Sequence, residues 1–108
     1  WKAQEDLPVA LAASPSPAIA QAGHLWIFGG DDGTQVSSRP NEHRGFSKTI
    51  YQFDIDQNRW TPHSKSLSIS HVTVPCVAWS DGWVIPSGEI RPGVRSQEVW
   101  FLRNQTDP

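Results

Sequence analysis

The sequence predicts an all-β chain, on three observations: its aromatic and turn-residue composition, its short apolar runs cut by glycine and proline, and an internal repeat. Six Trp stand against one Tyr, with nine Pro and eight Gly among 108 residues. That is the composition of a turn-rich β protein in which large aromatic side chains fill the gaps between sheets. A chain of this length forms one small domain and buries about two-thirds of its unfolded surface.

Taken in order, residues 1–5 read as a short strand that runs through Leu7-Pro8 into a loop, punctuated by Ser14-Pro15-Ser16-Pro17. The alanines at 10–13 favour helix by propensity, but the run is too short to nucleate and prolines close it. Two short apolar runs, 18–22 and 24–28, form a hairpin about Gly23 and leave through Gly29-Gly30-Asp31-Asp32-Gly33. Residues 34–48 are polar and aperiodic, a long loop. The alternation at 50–55 is a strand, Asp56-Gln57-Asn58 turns, and Trp60 opens another strand that fades into a serine-rich stretch. The same pattern then returns: an apolar run at 74–79, a turn at Ser80-Asp81-Gly82, a run at 83–86, and a last strand at 98–103 before a turn-like tail.

Superposing the second half on the first exposes the repeat. Residues 17–31 fall on 75–89 at a constant offset of 58, so that Pro17 meets Pro75, Gly30 meets Gly88 and Asp31 meets Glu89. The third strand aligns when the second loop is nine residues shorter, pairing Ile50 with Val99, Tyr51 with Trp100 and Phe53 with Leu102. Insertions confined to one loop are typical of repeat arrays. A complete small β-sandwich of about eight strands is the rival architecture, and the gap-free offset argues against it.

Between the two last strands lies Ser87-Gly88-Glu89-Ile90-Arg91-Pro92-Gly93-Val94-Arg95, an acid and two guanidiniums among backbone-bending residues. Gly88 lets the chain leave its strand abruptly, and Pro92-Gly93 turns it so that Arg95 folds back toward Glu89. The plainer reading is a hairpin loop with an exposed ion pair, which contributes about 0–1 kcal/mol. Asp31-Asp32-Gly33 likewise reads as a solvated turn as readily as a second polar group of a site.

Other chemistries find little support. Nine basic residues against eleven acidic, with a net charge of −2 and no basic run, recruit neither nucleic acid nor an anionic membrane. The longest apolar stretch is far too short to span a bilayer. The single cysteine, Cys76, excludes an internal disulfide and reads as a small core residue, and no histidines sit at metal-ligand spacing, so no metal is expected. There is no Gly-x-Ser-x-Gly elbow or phosphate-cradling loop. Asn104-Gln105-Thr106 is formally a glycosylation acceptor triplet. The absence of Met and the opening Trp1 suggest a piece of a longer chain.

The strand ending in Gly29-Gly30, followed by Phe53-Asp54-Ile55-Asp56-Gln57-Asn58-Arg59-Trp60, resembles a Kelch repeat. The second unit departs from it, with Ser87-Gly88 in place of the diglycine. Read as Gly-Glu-x-x-Pro-Gly-x-Arg, the 88–95 motif is similar to the N-acetylneuraminate (sialic acid) epimerases or mutarotases, which are Kelch propellers, and closest to their cyclically permuted members. The resemblance implies two antiparallel four-stranded blades of a six-bladed β-propeller: 1–16 as the outer strand of a preceding blade and a linker, 17–70 as a full blade, and 71–108 as three strands of the next. The remaining blades of the parent chain are the implied partners, and an isolated fragment with two open faces is expected to be marginally stable and to self-associate.

The resemblance further implies an isomerase that interconverts the anomers of an acidic sugar without a cofactor, in a periplasmic or secreted setting. Glu89 and Arg95 match the functional Glu and Arg, with Arg91 and Asp31 as further substrate-binding residues. In such propellers Asp31, Asp32, Arg39, His43, Arg44, His71, Glu89, Arg91 and Arg95 would share one face. A Kelch module that holds a partner protein without catalysis is the alternative, since the same loop face serves both.

Overall fold

A computed structural model describes residues 1–103, and within them every regular element but one is a β-strand. The expected tail and its acceptor triplet lie outside the described residues. Four strands, β1 (Ile19–Gln21), β2 (His24–Phe28), β3 (Ile50–Asp54) and β4 (Arg59–Pro62), form an antiparallel meander in the order β1-β2-β3-β4. A second antiparallel sheet is built from β5 (Val77–Trp79), β6 (Gly82–Pro86) and β9 (Val99–Arg103) in the order β5-β6-β9. Between β6 and β9 stands a separate hairpin of β7 (Glu89–Arg91) and β8 (Val94–Arg95). The long polar loop carries one 3-10 turn, Pro40–Glu42. Among the described residues no strand passes from one sheet into the other.

The repeat read from the sequence is reproduced strand for strand. β1, β2 and β3 contain three, five and five residues, and β5, β6 and β9 contain the same numbers. The registers agree as well: Ile19 faces Trp26 as Val77 faces Val84, and Phe28 faces Ile50 as Pro86 faces Val99. The equivalence continues past the strands, because Asp31 bridges Ala12 and Glu89 bridges Val72, each by a reciprocal pair of backbone hydrogen bonds.

Strand side chains alternate between faces, so the core shows which faces meet. Trp83 of β6 stacks on Trp26 and Phe28 of β2 at ring separations of 5.9 and 5.4 Å. Ile19, Phe28, Ile50, Val74, Cys76, Trp83 and Ile85 make one buried cluster, with Trp26, Leu67 and Leu102 packed against it. By repeat position Trp83 corresponds to Leu25, which lies on the opposite face of β2 from Trp26. The two sheets therefore stack through unlike faces. The remaining face of the second sheet leaves Val77, Trp79, Val99 and Phe101 exposed, Trp79 at 67% and Val99 at 65%.

Two expectations need correction. Residues 1–5 form no strand, because their fastening is to side chains: Glu5 donates its N–H to Asn58 Oδ1 (2.8 Å) and its carbonyl accepts from Trp60 Nε1 (2.9 Å). A strand needs a backbone partner, and none among the described residues runs beside this segment. The apolar run at 74–79 is strand only from Val77, because residues 74–76 bond instead to Ser16, whose N–H donates to the Val74 carbonyl and whose carbonyl accepts from Cys76.

Candidate functional site

The bend that launches β7 is made by two residues of positive φ, Ser87 at 70° and Gly88 at 109°. Gly29 at 64° and Gly30 at 106° make the same bend in the first unit. The departure from the diglycine thus changes the residue and keeps the backbone. Ser87 tolerates the left-handed region with its Oγ donating to the Ser96 carbonyl at 2.6 Å, while its N–H donates to the Glu98 carbonyl at 2.7 Å. A side chain at Gly88 would meet the Cβ atoms of His71 and Val74 at 3.0 Å, so glycine is required there.

Glu89 then enters β7 with its backbone locked to Val72 by two hydrogen bonds of 2.9 Å. At the far end of the hairpin Pro92 precedes Gly93, whose φ of 75° suits a tight turn. A register shift between Glu89 and Arg91 lets Glu89 face Arg95, while Arg91 faces Val94. The fold-back expected of Arg95 is therefore present. Glu89 is half-buried and Arg95 exposed. No ion pair joins them among the described residues; the Arg95 guanidinium donates to the Thr73 carbonyl at 3.4 Å. Glu89 and Arg95 thus occupy facing register positions of the hairpin without forming an ion pair.

Around this pair the predicted residues divide. Arg91 reaches across to the Asn41 carbonyl at 3.5 Å, which draws the 40–45 loop to the hairpin. Asp31 holds the position equivalent to Glu89, but its Oδ1 accepts the Gly33 N–H at 3.0 Å in a local turn. Between Asp31 and Glu89 run residues 12–13 and 72–73, joined by Thr73 N–H to the Ala13 carbonyl. Asp32 accepts from both the N–H and the hydroxyl of Thr34, which hold its carboxyl below the usual aspartate range.

Two histidines expected on the shared face are instead buried. His43 stacks on Phe46 at 4.9 Å and accepts the Gly45 N–H through Nδ1. His71 is 3% exposed beneath Gly88, and its Nε2 has no partner. Burial lowers its pKa, against a smaller opposing pull from Glu98. Lone histidines carry no period, so nothing in the sequence distinguished buried from rim positions. Cys76, by contrast, is buried as expected, and burial pushes its thiol up to about 11.

The sequence reading also missed a cavity of about 270 Å³ between the two sheets. Trp26, Phe28, Ile50, Trp83, Trp100 and Leu102 line it, under a lip formed by residues 63–68. That lip is fastened to β3 and its approach, with His63 N–H donating to the Ile50 carbonyl (2.7 Å) and Leu67 N–H to the Lys48 carbonyl (2.8 Å). Comparison with protein-family models finds none that matches the chain, and comparison with curated proteins finds no significant match.

Proposed function

We propose that the two sheets are successive blades of a Kelch-type β-propeller and that Glu89 and Arg95 serve a sugar mutarotase acting on an acidic sugar of the sialic acid class. The observation that carries the reading is the register pairing of Glu89 with Arg95, on a hairpin whose backbone is held at both ends. Stacking of equivalent sheets through unlike faces supports the blade arrangement, because a ring of repeats needs each unit to offer one face forward and the other back.

Mutarotation breaks the bond between the anomeric carbon and the ring oxygen, with a proton leaving the anomeric hydroxyl and one arriving at the ring oxygen. Glu89 takes the proton from the anomeric hydroxyl and delivers it to the ring oxygen as the C–O bond breaks, and reclosure on the other face of the carbonyl reverses both transfers, a general acid-base contribution of about 10²- to 10⁴-fold. A sugar carboxylate on the anomeric carbon is gripped by the Arg95 guanidinium, which sets the reacting hydroxyl beside Glu89. Arg91 supplies a second positive charge at the same hairpin. No redox or group-transfer step arises, so no cofactor is required.

Exchange NMR on N-acetylneuraminate, with the intact propeller, tests this. Wild-type protein is expected to accelerate anomer exchange, while Glu89→Gln and Arg95→Ala each lose most of it with little change in Tm. Exchange no faster than in buffer, or full activity in Glu89→Gln, would sink the assignment. A second reading, binding of a partner protein without catalysis, is favoured by the exposure of Arg91 and Arg95. Under it the charges of the hairpin are a recognition rim, and wild-type protein leaves exchange at the buffer rate.

A further inference from the structure

The cavity between the sheets takes no part in the proposed sugar chemistry, since none of Glu89, Arg91 and Arg95 lines it. Its walls are apolar and mostly aromatic: Trp26 and Phe28 on β2 stand against Trp83 on β6 and Trp100 and Leu102 on β9. Walls of this kind offer few hydrogen-bond partners to the hydroxyls of a sugar. They suit a planar aromatic ring, whose offset and edge-to-face contacts are favourable beyond the area they bury. A largely apolar hollow with a few polar groups is the common form of a small-molecule site.

Size narrows the class of guest. A cavity of roughly 150 Å³ holds one benzene ring, so two fused rings need about 250 Å³ in proportion to their carbons. The volume between the sheets is about 270 Å³. Charge narrows it further, because the lining residues include Lys65 and Arg103 and no carboxylate, which disfavours a cation. Arg103 is engaged elsewhere, with its guanidinium over the Phe101 ring and 3.3 Å from Asp81.

The polar groups call for an oxygen on the guest. Trp26 has an indole N–H that is buried and without a partner, and a buried donor of that kind wants an acceptor. The lip adds the hydroxyl-bearing Ser64, Ser66 and Ser68, on a segment pinned near its ends by the bonds from His63 to Ile50 and from Leu67 to Lys48. We propose that the inter-sheet cavity binds a neutral two-ring aromatic molecule bearing a hydroxyl, with its rings beside Trp83 and Trp100 and its oxygen accepting from the Trp26 indole N–H.

The test titrates 2-naphthol into the 108-residue chain and follows the six Trp indole N–H resonances by NMR. Those of Trp26, Trp83 and Trp100 are expected to shift together to saturation, while Trp1, Trp60 and Trp79 stay in place. Decahydro-2-naphthol, with the same skeleton and hydroxyl but saturated and puckered rings, is expected to bind at least about tenfold more weakly. Leu102→Trp, which puts an indole into the cavity, should abolish the shift at Trp26. No saturable shift, equal affinity for the saturated alcohol, or shifts centred on Trp79 of the exposed face would each overturn the proposal. The two alcohols are compared on unaltered protein, so that comparison decides even where Leu102→Trp fails to fold.

Discussion

His71 shows how burial converts one residue into a pH dependence. Buried without a partner for Nε2, it is held neutral, so its pKa in the folded chain lies below the ordinary value of 6.5. Above pH 6.5 folded and unfolded chains both carry the neutral ring, and its burial is tolerated in full. Below that value the unfolded chain takes up a proton that the folded chain resists, so stability falls as pH drops toward the lowered folded pKa. Melting at pH 7.5 and 5.0 should show a loss on acidification that is smaller in His71→Leu than in wild type. An equal loss in both proteins would place the sensitive group elsewhere. None of this was legible beforehand, because a histidine between Ser70 and Val72 reads equally as rim or core until the packing of Gly88 against it is known.

At the scale of the element, the paired bends at Gly29-Gly30 and Ser87-Gly88 show that sequence pattern and backbone shape can part company. Their φ angles coincide while one residue of four differs. Ser87 already accommodates a side chain, whereas a Cβ on Gly29 would strike the Ser47 carbonyl at 2.6 Å and the Ser70 hydroxyl. Gly29→Ala is expected to destabilise by about 2–4 kcal/mol through overpacking and left-handed strain. Ser87→Ala should cost about 1 kcal/mol, the hydrogen bond to Ser96. Urea denaturation separates the two, and a Gly29→Ala cost no larger than that of Ser87→Ala would contradict the packing described.

Strand positions were the most readable feature, because the repeat doubles the evidence for each: the alternation at 50–55 and the strand at 98–103 support each other, as do the apolar runs at 24–28 and 83–86. The fold-back of Arg95 was readable for a local reason, Pro92-Gly93. Residues 1–5 misled because a short run cannot name its partner, here the Trp60 and Asn58 side chains and, among the described residues, no neighbouring backbone. The cavity had no sequence signature at all. Its walls come from two sheets and a loop, and only their spacing makes it hollow.

For the whole molecule, the arrangement turns on one relation, the stacking of two equivalent sheets through unlike faces. It leaves the Val77, Trp79, Val99 and Phe101 face of the second sheet uncovered, the same face that in the first sheet is covered by the second. An apolar exposure of that kind is where self-association would act. The candidate-site hairpin is anchored on this frame through Val72 and Thr73, and the inter-sheet cavity exists only because the sheets meet this way. The most direct test of the relation is a NOESY spectrum of the chain with its Trp rings assigned. Stacking through unlike faces predicts cross-peaks from Trp83 to both Trp26 and Phe28, and none from Trp26 to Val84 or Phe101. Contacts from Trp26 to Val84 or Phe101, with those to Trp83 missing, would mean that like faces meet and would contradict the account.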